Sequence, residues 1–190
     1  LVLALGLALG LTLGACAGNQ AEQARRDAEL HYKLGDGHFR DRQVAAAIRE
    51  LHLAIEANPE HAEAHHLLGF LYLGRREYEL ALRHLRRSVE IKPDYLTALN
   101  NLGACHLALC QWDEAAQIFE RLAESPLYGT PYIAQNNLGL ALHRKGDNEA
   151  AVRRFQKAVL FNPKFCVGYN NLGMALLELG RSEEAARSLR

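Results

Sequence analysis

Three histidines within six residues, His61, His65 and His66, and four cysteines, Cys16, Cys105, Cys110 and Cys166, are the side chains whose type and spacing could do chemistry. His61 and His65 lie one helical turn apart, where two imidazoles can share a face and hold a zinc ion. The H-E-x-x-H arrangement of a hydrolytic centre needs a glutamate directly after the first histidine, and Ala62 stands there. Structural work for the histidines, and no metal, is the expectation. Cys105 and Cys110 are five residues apart on or just past one helix, awkward for a disulfide, and Cys166 is remote from both. An odd number of thiols remains once Cys16 is set aside, which leaves at least one free or paired to a partner, and burial as small apolar side chains is the role expected of them. No nucleophile–base pair, glycine-rich phosphate loop or pair of acids recurs at useful spacing. No enzymatic activity and no cofactor are therefore expected. Twenty-two basic against twenty-two acidic residues leave no net field to draw nucleic acid or an anionic membrane surface.

Cys16 stands apart because of what precedes it. Residues 1–13 are Leu, Val, Ala and Gly with a single Thr12, too short before Asn19, Gln20 and Glu22 to span a bilayer. The run closes on Leu13-Gly14-Ala15-Cys16, which resembles a lipobox, the cleavage and acylation site of bacterial lipoproteins. An apolar run would hold the thiol at the membrane surface, small residues would admit a peptidase, and the thiolate would accept the lipid. Residues 1–15 are then a signal peptide and 16–27 the lipidated cysteine with a polar tether. Ala17 replaces the aspartate that usually retains such proteins in the inner membrane, so the resemblance implies the periplasmic side of the outer membrane. The chain does not begin with Met, and further residues are expected before Leu1.

The elements that must position everything else follow a period. Asn-Asn-Leu-Gly occurs at 100–103, 136–139 and 170–173, and Leu-Gly also at 34–35 and 68–69, so the glycines at 35, 69, 103, 139 and 173 are spaced 34, 34, 36 and 34. Five units result: 28–61, 62–95, 96–131, 132–165 and 166–190, the last stopping midway through a second helix, with more chain expected beyond it. Position 7 of each unit is Leu, position 8 Gly, position 20 Ala (Ala47, Ala81, Ala115, Ala151, Ala185) and position 24 Leu or Phe. Pro59, Pro93 and Pro163 close three units. Gly and Ala let two helices approach, positions 4, 7, 11 and 24 fill the seam, and Pro ends the second helix. These offsets resemble the tetratricopeptide repeat. An all-α solenoid of helix-turn-helix repeats over 28–190 is the expected fold. The third junction, Ser125 to Tyr132, is two residues longer than the others.

In such a solenoid, positions 2, 5, 9 and 12 line a concave groove. The residues expected to meet a partner are Tyr32, Phe39, His66, Phe70, Leu73, Asn100, Ala104, Leu107, Asn136, Leu140, Asn170 and Met174. They form an apolar stripe edged by asparagines, suited to an amphipathic helix or extended peptide. The other reading of the asparagines is that they join one repeat to the next. Lys and Arg are nearly missing from these positions, which disfavours acidic chaperone tails as partners. Arg83-His84-Leu85-Arg86-Arg87 is expected to be a mostly solvated face of a second helix.

The lipobox, the repeats and the Leu127-Tyr128-x-x-Pro131 junction leading into Asn136-Asn137-Leu138-Gly139 together resemble the type IV pilus biogenesis and stability lipoproteins, pilotins of the PilF, PilW and Tgl type. The resemblance implies a non-catalytic chaperone, held at the outer membrane through acylated Cys16, whose groove binds secretin subunits for insertion and multimerisation. The rival expectation is another periplasmic lipoprotein adaptor, scaffolding peptidoglycan hydrolases or outer-membrane protein assembly.

Overall fold

The computed structural model describes the backbone of residues 2–189 and the side chains of 19–189. The side chains of residues 1–18, among them Cys16, the expected acylation site, lie outside those described. Ten helices and no strand are found among the described residues: α1 (Val2–Arg40), α2 (Val44–Ala57), α3 (Ala62–Gly74), α4 (Tyr78–Ile91), α5 (Leu96–Ala108), α6 (Trp112–Glu124), α7 (Pro131–Lys145), α8 (Asn148–Phe161), α9 (Cys166–Glu178) and α10 (Ser182–Ser188). Connections of a few residues force consecutive helices antiparallel, so they form five stacked hairpins. The helix α1 continues through 19–27, the stretch read from sequence as a tether.

Close approach at position 8 holds each hairpin together. A Cβ on Gly69 would lie 2.7 Å from Leu85 Cγ, and one on Gly103 would lie 2.7 Å from Phe119 Cζ, well inside van der Waals contact. The position-20 alanines are all buried, and Leu51, Leu85, Phe119 and Phe155 at position 24 are fully so. Position 7 behaves differently at the start of the stack. Leu68, Leu102, Leu138 and Leu172 are buried, but Leu34 is 44% exposed, because that position packs against a preceding hairpin and the first hairpin has none.

Each hairpin turns through one left-handed residue. Arg42 (φ 59°), Arg76 (φ 63°) and Cys110 (φ 59°) occupy position 15 of the first three repeats, and Gly146 and Gly180 occupy it in the last two. In every case the next residue's N–H returns to a carbonyl five residues back, as from Glu77 to Tyr72 (2.9 Å) and Asp147 to Leu142 (2.9 Å), which is the Schellman closure of a helix. Only glycine adopts this conformation without steric cost. Arg76→Gly is therefore expected to stabilise the chain by about 0.5–1 kcal/mol and Gly180→Ala to destabilise it by a similar amount, read as opposite shifts of the urea midpoint.

Candidate partner-binding groove

The first helices α1, α3, α5, α7 and α9 line one face of the stack. Towards the amino-terminal end the lining is aromatic. Phe39 meets Phe70 edge-on at 5.7 Å between ring centroids, and Tyr32 lies 5.0 Å from the His61 ring. Phe70 is 40% exposed, while Tyr32, Phe39 and Leu73 are half-buried. Burial, together with the neighbouring Tyr95 and carboxylates, raises the Tyr32 phenol above its ordinary value. Carboxylates at this end already have partners: Glu29 with Lys33 at 3.2 Å, Glu63 with Lys92 at 3.1 Å, and Asp36 with Arg40.

From the third repeat onward the groove positions are apolar or uncharged polar side chains, except His143, whose Nδ1 lies 2.7 Å from Asn148 Oδ1 and 3.6 Å from Glu178. Ala104, Leu107 and Leu140 are half-buried, Met174 is 43%, Leu177 52% and Val167 56% exposed, and Asn170 is open to solvent. A cavity of about 500 Å³ is lined by Leu107, Ala108, Cys110, Trp112, Leu140 and Arg144. An apolar side chain entering there would meet a mainly apolar wall, in which the Arg144 guanidinium is the one charged group.

The asparagines divide between two roles. Asn136 is buried and accepts a hydrogen bond at 2.8 Å from Asn171 Nδ2 of the next repeat. It faces its neighbour and offers nothing to the groove surface, so here the reading of asparagine as a joint between repeats describes the contact. The equivalent joint between the second and third repeats runs from Asn101 Nδ2 to His66 Nε2 (2.9 Å), with the other ring nitrogen of His66 against Tyr95 Oη (3.0 Å). His66 is thus fixed as a wall, its pKa lowered by burial. Between the third and fourth repeats this joint is broken: Asn137 Oδ1 accepts from adjacent Asn136 (3.3 Å), and Asn100 Oδ1 is buried without a partner among the described residues. The break falls at the junction that is two residues longer.

Sequence reasoning passed over the second asparagine of the phrase and Tyr95, which secure this wall. Their signal was available for the asparagines, since Asn101, Asn137 and Asn171 recur wherever the phrase does.

His61 and His65 are spent on the scaffold. His61 caps α3, its Nδ1 accepting from the Ala64 N–H at 3.3 Å, while its Nε2 lies 3.3 Å from Glu29 and ties the first two repeats. His65 donates from Nε2 to the Pro59 carbonyl (3.1 Å) and meets His84 Nδ1 through Nδ1 (3.1 Å). His84 stacks on Tyr72, and Leu85 is fully buried, so only the arginines of the 83–87 run keep the solvated character expected of it. Of the cysteines whose side chains are described, Cys105 alone is buried. Its thiol donates to the Tyr78 carbonyl at 3.3 Å and burial pushes its pKa up to about 11, whereas Cys110 and Cys166 are exposed, contrary to expectation, because they sit in a turn and at a helix start.

Family models for the tetratricopeptide repeat match residues 60–125, 111–164 and 155–187. Among solved structures, MamA from Desulfovibrio magneticus RS-1 superposes with a TM-score of 0.78 at 21% identity over 85% of this chain and 90% of that one. PilW, a type IV pilus biogenesis factor, gives 0.75 at 20% over 85% and 76%. Pseudomonas aeruginosa pilF gives 0.72 at 22% over 89% and 76%. At this identity the likeness is one of fold. A search of curated proteins finds no match to the chain.

Proposed function

We propose that this chain, which belongs to the tetratricopeptide-repeat family, is a non-catalytic lipoprotein chaperone of the pilotin kind, binding secretin subunits for assembly at the outer membrane in type IV pilus biogenesis. The fold is a scaffold for protein–protein contact, and the site for that contact is the concave face. The observation that carries the reading is the uncharged stripe of Leu107, Leu140, Met174 and Leu177, lying beyond an aromatic end whose carboxylates are already neutralised. Such a surface accepts an apolar segment, helical or extended, and gives no grip to a polyanion or a charged metabolite. The lipobox and the Leu127–Pro131 junction add the resemblance to pilus lipoproteins. PilW and pilF share the fold, and so does MamA to the same degree, which keeps a different lipoprotein adaptor as the second reading.

Two experiments test it. With Cys16→Ala, the protein is expected to stay folded while secretin multimers fail to reach the outer membrane, and normal multimers there would refute the anchored role. A photocrosslinker at Phe70 or Leu107 is expected to capture a secretin subunit. Capture of a peptidoglycan hydrolase or an assembly factor would select the second reading.

A further inference from the structure

Comparing the repeats column by column exposes an anomaly away from the groove. Position 29, near the end of each second helix, is Glu56, Glu90 and Glu124 in the first three repeats and Leu160 in the fourth. One place further, Ala57, Ile91 and Ser125 give way to Phe161. At position 33, Glu60 and Asp94 in the first two repeats give way to Lys164. The fourth repeat therefore has an isobutyl group where the first three keep a carboxylate, and an ammonium where the first two keep a carboxylate and the third has Tyr128.

Packing does not account for the exchange. Leu160 is 77% and Phe161 55% exposed. Along α8, Arg153, Lys157, Leu160 and Phe161 recur at i, i+4, i+7 and i+8, one stripe of the helix, and Lys164 follows beyond Pro163. Arg154 on the adjoining face pairs with Glu120 at 2.7 Å, but Arg153, Lys157 and Lys164 have no ion-pair partner among the described residues. The stripe is cationic where it climbs the helix and apolar where the helix ends.

The position of that end suggests what covers it. Because consecutive helices run antiparallel, α8 ends on the row of turns that join one hairpin to the next. Leu127, 82% exposed, lies in the preceding turn of that row. It is also the row at which α1 enters the first hairpin, and residues 2–13 of that same helix are the apolar stretch. Apolar side chains that protrude, ringed by unpaired cations, suit a fluid boundary that moulds itself around them, with acidic groups above it to meet the cations. The chain as a whole has no net charge, so any such attraction is local to the fourth repeat.

We infer that the carboxyl-terminal end of α8 docks on a lipid bilayer bearing anionic headgroups, with Leu160 and Phe161 in the headgroup boundary and Arg153, Lys157 and Lys164 against phosphates. The groove reading is not needed for this, since the stripe lies on a second helix and the groove on the first helices. Its orientational consequence rests on the proposed Cys16 anchor: with both attachments the solenoid is held at two points, and the groove at a set angle to the membrane.

The test uses the full chain on vesicles of phosphatidylethanolamine with a minority of phosphatidylglycerol, part of the lipid carrying brominated tails. In a Trp112→Phe background, Phe161→Trp places the single indole on the stripe. The unaltered chain supplies the control, because Trp112 opens α6 on the opposite row of turns. The indole introduced at position 161 is expected to shift to the blue and lose most of its emission to the brominated lipid, and Trp112 to lose little. Adding Lys157→Glu and Lys164→Glu is expected to restore the emission while circular dichroism stays unchanged. An indole at position 161 no more quenched than Trp112 overturns the inference. Protection of that indole by an acidic protein, with no quenching by lipid, also overturns it and assigns the stripe to a protein partner.

Discussion

Gly139→Val is expected to lower the free energy of unfolding by about 3 kcal/mol, the upper part of the range for overpacking a close-packed core. A Cβ built on Gly139 would lie 2.6 and 2.7 Å from Cε1 and Cδ1 of Phe155 and 3.0 Å from its Cζ, whereas carbon pairs settle at about 3.5–4.0 Å. Phe155 is fully buried, so its ring has no solvent side into which to move. The two helices of the fourth hairpin must separate instead, and contacts along the whole seam weaken together. Gly37 is the control, because it too is helical but a Cβ there meets nothing within 4 Å. Gly37→Ala is expected to stabilise by about 0.5–1 kcal/mol through helix propensity alone. Combining Gly139→Val with Phe155→Ala tests the mechanism: the valine occupies part of the space the ring vacates, so the double variant should be more stable than the sum of the single losses predicts. Urea unfolding followed by circular dichroism reads the parent and the four variants, Gly139→Val, Phe155→Ala, their combination and Gly37→Ala. A Gly139→Val protein within 1 kcal/mol of the parent would show that the seam is not close-packed.

That prediction was legible from the period alone, and the reason is local. Position 8 and position 24 lie sixteen residues apart within one hairpin, and the repeat fixes both, so residue type and partner are read together. Helix starts are equally local: α3, α5 and α9 begin at Ala62, Leu96 and Cys166, position 1 of their repeats. The helix α7 begins one residue earlier at Pro131, where proline suits the first turn. The groove was only half legible. Its apolar members follow from helical spacing, but the fate of each asparagine depends on the register of the next repeat, which the longer third junction alters. Leu34 shows the same limit at the end of the stack, since its exposure depends on a neighbour that the repeat pattern presupposes. The histidine contacts were not legible, because His52, His65 and His84 come from three helices and meet only when two repeats stack. Leu160 and Phe161 look like core residues in any window of the sequence and become anomalous only beside Glu56, Glu90 and Glu124.

The same histidine cluster makes stability fall as the medium acidifies. Nε2 of His65 donates to Pro59, so its Nδ1 carries the lone pair and accepts the Nδ1 proton of His84 at 3.1 Å; both rings are neutral. His84 also stacks against Tyr72 and lies 6.1 Å from the His52 ring, which bonds the Tyr72 hydroxyl at 3.0 Å. A second proton on His84 would set a cation among His65, His52 and Arg83, and burial with these neighbours depresses its pKa from 6.5 to about 4. His65, which faces Arg87, Glu60 and His61 as well, and His66 on the groove side of α3 are both lowered by burial. A depressed folded-state pKa means that between pH 6.5 and 4 the unfolded chain binds protons that the folded chain refuses. Stability is therefore constant above about pH 7 and declines below it. Discounted for partial exposure of the ring, the contribution of His84 is on the order of 2 kcal/mol by pH 4. Glu63, held below its ordinary 4.5 because bonds to its own backbone and to Lys92 outweigh burial, keeps its charge through most of this range. Thermal unfolding between pH 7 and 5 thus reports the histidines. The melting temperature is expected to fall steadily over that interval, and His84→Gln, which keeps a donor for His65 but cannot take the extra proton, is expected to flatten the fall. A parent chain whose melting temperature is level or rising from pH 7 to 5, or a His84→Gln protein with the parent's slope, would remove the cluster as its cause.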